Sequence, residues 1–194
     1  MAAEIVLASA SPRRRELLEQ MGLTYIVRVA AIDERVLDAE LPVDYVRRVA
    51  AKKSQQVWQA SEKNLPVLSA DTSVVLNGMI MGKPKDQADA VAMLTALSGS
   101  THQVLTAVSL RQDQHWQALS ISEVTFRGLS LQEINDYWAT GEPVDKAGAY
   151  AIQGLGAMFV ERCSGSYSGI VGLPLFETMS LLANVGVKVL KQHE

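Results

Sequence analysis

The chain opens with a strand that has to stop abruptly and become a helix. Glu4 to Ala8 (EIVLA) is an apolar run of strand length, and the small residues Ser9, Ala10 and Ser11 interrupt it before Pro12 and three consecutive arginines, Arg13, Arg14 and Arg15. Ser11 suits an N-cap and Pro12 the first helical position, where a proline loses no needed hydrogen bond and already has helical φ. The arginines therefore crowd the helix N-terminus, the wrong end for cations, because free N–H groups already place positive charge there. Two readings stand at this point. Hydroxyls, amides and guanidinium groups together suit a phosphate, whose oxygens Arg grips with parallel hydrogen bonds; alternatively, this is an ordinary helix start with solvated arginines.

The rest of the pattern alternates strands with helices. Gly22 ends the first helix, Thr24 to Val29 reads as a second strand and Asp44 to Ser61 as a long helix. Val67 to Leu76 is a strand, followed by the turn Asn77-Gly78, and Asp86 caps a helix that runs to Leu97 and closes at Gly99. Gln103 to Leu110 and Ala118 to Phe126 read as an antiparallel pair joined across Arg111 to His115. Ser130 and Glu133 form a capping-box signature for a helix to about Thr140. Met158 to Arg162 is a further strand, and Pro174 opens a last helix reaching Ala183. A mixed sheet with helices on its faces is the simplest arrangement of these elements, so the fold class is α/β.

Several polar residues break the pattern. In the long helix the apolar stripe runs through Val46, Val49, Ala50, Val57 and Ala60, and Lys53 falls inside it, whereas Arg47, Arg48, Lys52 and Gln56 take the solvent side. An inward lysine either snorkels out or meets an anion. Asp71 sits within the strand VLSADTSVVL, where a carboxylate needs a partner, a metal or nearby backbone amides, and Thr72 and Ser73 add hydroxyls beside it. Lys83 and Lys85 lie in the turn MGKPKD, which lacks the glycine and hydroxyl spacing of a P-loop. The segment from Glu142 to Gly156 (EPVDKAGAYAIQGLG) combines Asp145, Lys146 and Gln153 with glycines that can present backbone amides to a ligand. Asp33 and Glu34 supply another carboxylate pair near the end of the second strand.

Composition narrows the chemistry. A length of 194 residues with 48% hydrophobic content suits one domain spanning 1–194, with a core of its own. Eighteen basic against 21 acidic residues leave a net charge of −3, so no overall field draws the chain to nucleic acid or anionic membrane. Any phosphate affinity is local, and no stable nucleic-acid complex is expected. The single cysteine, Cys163, excludes an internal disulfide framework, and no long apolar segment or signal-like N-terminus is seen; the expected location is the cytoplasm. His102, His115 and His193 stand apart from one another and from carboxylates at metal-ligand spacing, which argues against zinc. No nucleophile elbow or dinucleotide fingerprint occurs. The remaining Lys, Arg, Asp and Glu suit metal-assisted phosphoryl or nucleotidyl chemistry, with carboxylates holding a hard divalent cation and cations neutralising phosphate oxygens.

Taken in order, ASASPRRRELL, the Asp33-Glu34 pair, SADTSVVLNG, GKPKD, VDKAGAYAIQG and GSYSGIVGLPL resemble the Maf family of nucleoside triphosphate pyrophosphatases, from residue 8 to residue 175. Each motif alone is weak; six in order are specific. The resemblance implies a mixed, elongated α/β sheet flanked by helices, with two lobes around a cleft as in the inosine triphosphate pyrophosphatases. It implies cleavage between the α and β phosphates of a nucleoside triphosphate, with a divalent cation, Mg²⁺ or Mn²⁺. Carried over by position, Asp71 matches the acidic catalytic residue, Ser9, Arg13, Lys53 and Lys83 the phosphate-handling positions, and Glu34 a further acid of the site. Asp71 and Glu34 are then the metal-holding pair, and Asp71 serves as base or as ligand. Arg13, Thr72 and Gln153 resemble the subgroup acting on dTTP and UTP. Arg13 is the arginine expected at the phosphates, with Arg14 and Arg15 nearer the solvated reading. Rival readings are a house-cleaning pyrophosphatase for modified nucleotides and a non-catalytic regulator that binds nucleotide or nucleic acid. A homodimer suits a domain of this size, although no sequence feature demonstrates one.

Overall fold

The structure is a computed structural model and describes residues 2–189; His193 lies outside the described residues. Seven strands form one mixed sheet in the order β2-β1-β3-β5-β6-β7, with β4 paired to β3 off that path. The chain runs β1 (Ile5–Leu7), α1 (Pro12–Gln20), β2 (Tyr25–Val27), α2 (Pro42–Gln59), β3 (Val67–Leu76), β4 (Met79–Met81) and α3 (Gln87–Leu97). It continues with β5 (Thr101–Arg111), β6 (His115–Phe126), α4 (Leu131–Ala139), two 3-10 turns (Ala147–Ala149 and Leu155–Phe159), β7 (Val160–Ser164), α5 (Tyr167–Val171) and α6 (Leu175–Ala183). Strand β1 is parallel to both β2 and β3; the other pairings are antiparallel.

Most elements fall where the pattern places them, and the departures have local causes. Helix α2 starts at Pro42 rather than Asp44, because proline is well accommodated in a first turn. Ala60, read as part of its apolar stripe, is the exposed C-cap. The Asn77-Gly78 turn has φ of 50° and 78°, the twist that lets a two-residue loop close a hairpin, and so the chain returns as β4, a strand too short to show periodicity. The stretch read as starting a strand at Met158 is still 3-10 turn there, and β7 begins at Val160. The five-residue helix α5 was not foreseen.

Strand β3 organises the interior because it is buried on both faces. Val67, Ser69, Asp71 and Val75 meet α2: Val67 packs with Val57 and Trp58, the Ser69 hydroxyl donates to the Ala50 carbonyl at 2.7 Å, and Val75 packs with Val46 and Ala50. Leu68 and Ala70 alternate onto the other face with Leu17, Leu18, Leu181 and Leu182 of α1 and α6, and further along Val74 and Leu76 meet Ala90, Leu94 and Leu97 of α3. A fully buried leucine contributes about 1.5–3 kcal/mol relative to an exposed one, and the helices hold the sheet mainly through such contacts.

The partners of β3 along one edge leave a gap. Its register with β1 stops at Leu68, where Ala8 N–H donates to the Leu68 carbonyl at 2.7 Å, and its register with β4 starts at Val74. Between them, residues 70–73 have strand β5 on one side only. A side chain from either face of β3 can therefore reach the same opening, and Asp71 and Thr72 do.

Candidate active site

The opening is the mouth of a cleft of about 730 Å³, bordered by the start of α1, the loop after β2, α2, β3, the turn after β4 and the segment from 144 to 153. All the residues proposed from sequence border it: Ser9, Arg13, Glu34, Lys53, Asp71, Thr72, Lys83 and Gln153. Five cations line it (Arg13, Arg14, Lys53, Lys83 and Lys146) against three carboxylates (Glu34, Asp71 and Asp145). That excess of two positive charges stands in a protein whose net charge is −3, so the cleft is a local anion site.

Its floor is a connected set of side chains. Lys53 does not snorkel: its ammonium donates to Asp71 Oδ1 at 2.9 Å and to Glu34 Oε2 at 2.9 Å. Asp71 is only 6% exposed, and burial raises its carboxyl above the ordinary value, opposed by the charges of Lys53 and Arg14. The loop that carries Glu34 is itself fastened to α2, because Tyr45 Oη donates to the Glu34 carbonyl at 2.9 Å and Arg48 Nη2 to Glu40 Oε2 at 2.7 Å. Arg48, read as a solvated residue, is thus half of an ion pair.

On the other face of β3 the structure corrects the reading of the arginines. Arg14 is built into the floor: its guanidinium donates to the Gly172 carbonyl at 2.8 Å, Ser9 Oγ at 3.1 Å and Thr72 Oγ1 at 3.2 Å. Thr106 Oγ1 donates to the Gly169 carbonyl at 2.8 Å and shares a hydroxyl–hydroxyl hydrogen bond with Thr72 Oγ1 at 3.0 Å, and so ties β5 and α5 into the same network. Burial lowers the Arg14 pKa, but an arginine stays charged at any working pH. Arg13 also borders the cleft and forms no side-chain hydrogen bond or ion pair with the described residues. Arg15 lies outside the cleft, as expected, and reaches only the Ala10 carbonyl, at 3.4 Å. No signal along the sequence separates Arg14 from Arg13, since the partner at Gly172 comes from 158 residues away.

The α1 N-terminus has no carboxylate or side-chain cap of its own to accept from its first amides. Ser11 is the N-cap residue but makes no side-chain cap bond, and the first turn holds no acid. Ser9 instead accepts from the Ser11 N–H at 3.2 Å, which shapes the turn.

The opposite wall is less committed. Lys83 and Gln153 are exposed and form no hydrogen bond with the described residues, and Lys146 reaches only the carbonyl of Val144, at 3.1 Å. Burial and then the charge of Arg13 lower the Lys146 pKa, opposed by the charges of Asp145 and Glu142. The glycines of this segment do not present free amides, contrary to the sequence reading. Gly148 N–H donates to the Gly82 carbonyl, Gly154 N–H to the Ala151 carbonyl and Gly156 N–H to Glu142.

Among the described residues no group of three or more His, Cys, Asp or Glu side chains could hold a metal without help, and no helix is long and apolar enough to cross a membrane. Of the three carboxylates that border the cleft, Asp71 and Glu34 are bridged on its floor by Lys53.

The sheet and cleft define a mixed α/β protein with a cationic, carboxylate-floored pocket at an open strand edge. The family model described as Maf-like protein matches residues 4–185, and the chain belongs to that family. It is 54% identical over 185 residues to the dTTP/UTP pyrophosphatase of Methylococcus capsulatus, covering 95% of this chain and 92% of that protein. It is 51% identical over 188 residues to the dTTP/UTP pyrophosphatase of Hahella chejuensis, covering 95% and 94%. Among solved structures, the Ham1 protein of Staphylococcus aureus superposes with a TM-score of 0.48 at 17% identity over 63% of this chain and 71% of that one.

Proposed function

We propose that this protein is a nucleoside triphosphate pyrophosphatase that hydrolyses dTTP and UTP to the nucleoside monophosphate and pyrophosphate, the whole chain acting as one Maf-like domain of the cytoplasm. The observation that carries the proposal is Asp71, a buried carboxylate paired with Lys53 at the open edge of β3, on the floor of a cleft with excess positive charge. A cleft that bound an anion and did nothing more would gain nothing from a carboxylate there. The names borne by the relatives support the choice of substrate.

The chemistry follows from the residues. The triphosphate lies between the α1 N-terminus and the wall, where Arg13, Lys83 and Lys146, none of them in an ion pair with the described residues, take its charge. Asp71 receives a proton from the attacking water, whose oxygen bonds to the α-phosphorus as the bond to the bridging oxygen breaks. Burial raises this carboxyl above its ordinary value, and the charges of Lys53 and Arg14 oppose that rise. Lys53 offsets the charge at Asp71, and the cations of the wall neutralise the departing pyrophosphate. Mg²⁺ or Mn²⁺ fits the donor set: such ions take one or two carboxylates, here Asp71 and Glu34, and complete their shell with water and substrate phosphates. When bound, the ion supplies charge neutralisation and polarisation at the α-phosphate. Gln153, with a free donor and acceptor, reads the edge of the pyrimidine, and Thr72, held by Arg14 and Thr106, shapes the pocket beneath.

The test is pyrophosphate release by the purified protein, supplied with Mg²⁺ or Mn²⁺, from dTTP and UTP set against their base-modified analogues and purine triphosphates. The expected result is fastest turnover of dTTP and UTP. Binding without release would make the protein a regulator, and preference for a modified base would make it a house-cleaning enzyme.

A further inference from the structure

The mechanism leaves one half-buried, fully hydrogen-bonded carboxylate unused. Glu142 lies in the segment after α4, outside the cleft, yet three donors converge on it. Its Oε1 accepts from Tyr137 Oη at 2.7 Å and from Gly156 N–H at 2.9 Å, and its Oε2 accepts from Leu155 N–H at 2.9 Å. The Tyr137 hydroxyl in turn accepts from Ala151 N–H at 3.1 Å. The six-residue loop from Ala151 to Gly156 is therefore pinned at both ends by one carboxylate and one phenol, and Gln153 projects from its middle into the cleft. Tyr137 is anchored from behind, only 4% exposed and edge-on to Phe159 at 4.9 Å between ring centroids. Burial alone would raise the Glu142 carboxyl, but the bonds from Gly156, Leu155 and Tyr137 together hold it below the ordinary value.

The geometry leaves no slack. A Cβ on Gly154 would fall 2.2 Å from Glu142 Oε2, and one on Gly156 2.7 Å from Tyr137 Oη. The Gly154 backbone, at φ −118°, is open to any residue, so a side chain there would only have to displace the Glu142 carboxylate.

We propose that Glu142 and Tyr137 are positioning residues that fix the distance of Gln153 from the opposite side of the cleft and thereby set its preference for pyrimidine over purine bases. The inference rests on the reading of the cleft as a dTTP/UTP site. A loop released from the staple can withdraw and admit a larger base, whereas the floor that does the chemistry is untouched.

Three variants test it. In Glu142→Gln one acceptor becomes an NH₂ that must face an N–H; Tyr137→Phe deletes the hydroxyl but keeps the packed ring; Gly154→Ala displaces the flexible carboxylate without altering it chemically. The loss of one such hydrogen bond corresponds to a change of about tenfold, and we expect that rise in KM for dTTP, a tenfold fall in the dTTP to dGTP ratio of kcat/KM, and little change in kcat. Amides of Ala151, Leu155 and Gly156 should exchange with solvent faster in all three variants. The double variant Glu142→Ala with Gly154→Ala should be no worse than Glu142→Ala alone, because the two act through one contact. Unchanged selectivity in all three variants overturns the proposal, even where the amides exchange faster, since the staple is then structural only. Failure of the unaltered protein to turn over dTTP overturns the functional reading beneath it, and the proposal with it.

Discussion

The floor and the wall of the cleft are built on opposite plans. On the floor the charged groups already have partners: Lys53 holds Asp71 and Glu34, and Arg14 holds Ser9, Thr72 and the Gly172 carbonyl. On the wall Lys83 and Gln153 have no hydrogen-bond partner among the described residues, and Arg13, across from them at the cleft entrance, has none either. A preorganised floor does not have to reorganise when charge develops at the reacting phosphorus, which is where fixed dipoles and charges act most strongly. An uncommitted wall keeps its cations free for the ligand. The contrast implies that floor substitutions act on kcat and on stability, and wall substitutions on KM.

The largest effect that would break this contrast belongs to Asp71→Asn. It should lower kcat by at least about 100-fold, the usual contribution of a positioned acid or base, with dTTP binding still measurable by calorimetry. Near-normal turnover would remove Asp71 from the chemistry. The same variant should be more stable at neutral pH than the unaltered protein. Burial raises this carboxyl in the folded state above its ordinary value of 3.8, so the unfolded chain gives up the proton at lower pH than the folded one. Ionised Asp71 therefore costs stability as pH rises through that window. The difference in Tm between the two proteins should shrink as pH falls toward 3.8 and vanish below it.

Next comes the pair of neighbouring arginines. Arg14→Ala strands three acceptors and should cost about 3 kcal/mol of stability in urea unfolding, as expected for hydrogen bonds from a charged donor. Arg13→Ala should leave the urea midpoint unchanged within about 0.5 kcal/mol, because it removes no side-chain hydrogen bond or ion pair with the described residues, and should raise KM for dTTP. Equal destabilisation by both would erase the division between floor and entrance.

Lys53→Met leaves Asp71 without its strongest opposing charge, so the acid limb of the kcat profile should move to higher pH. A limb that stays in place would show that another group sets it. Smallest is Lys83→Ala, which should raise KM about three- to tenfold with kcat little changed, an effect that fades with added salt as the exposed charge is screened. A salt-independent loss in kcat would place Lys83 on the floor.

Much of this site was legible along the chain because two residues violated their own elements. Lys53 stood in an apolar helical stripe and Asp71 in a buried strand, and each anomaly is explained by the other at 2.9 Å. Glu142 was not legible, because a carboxylate in a polar loop violates nothing; only the fold brings Tyr137, Leu155 and Gly156 around it.

The sequence by itself determined the alternation of strands and helices, the strand-to-helix turn at Ser9 to Pro12, and the residue types at the cleft, since periodicity and capping are local and act within a few residues. Tertiary structure decided which arginine does what. Arg13 and Arg14 are adjacent in one helix and project about 100° apart, so both can reach the turn in principle. The choice fell to Arg14 because the chain returns at Gly172 and β3 ends its pairing with β1 at Leu68, placing a carbonyl and the Thr72 hydroxyl within reach of that guanidinium alone. The cradle that the arginine-rich turn suggests is thus completed from distant parts of the chain, by hydrogen bonds whose geometry no local rule contains.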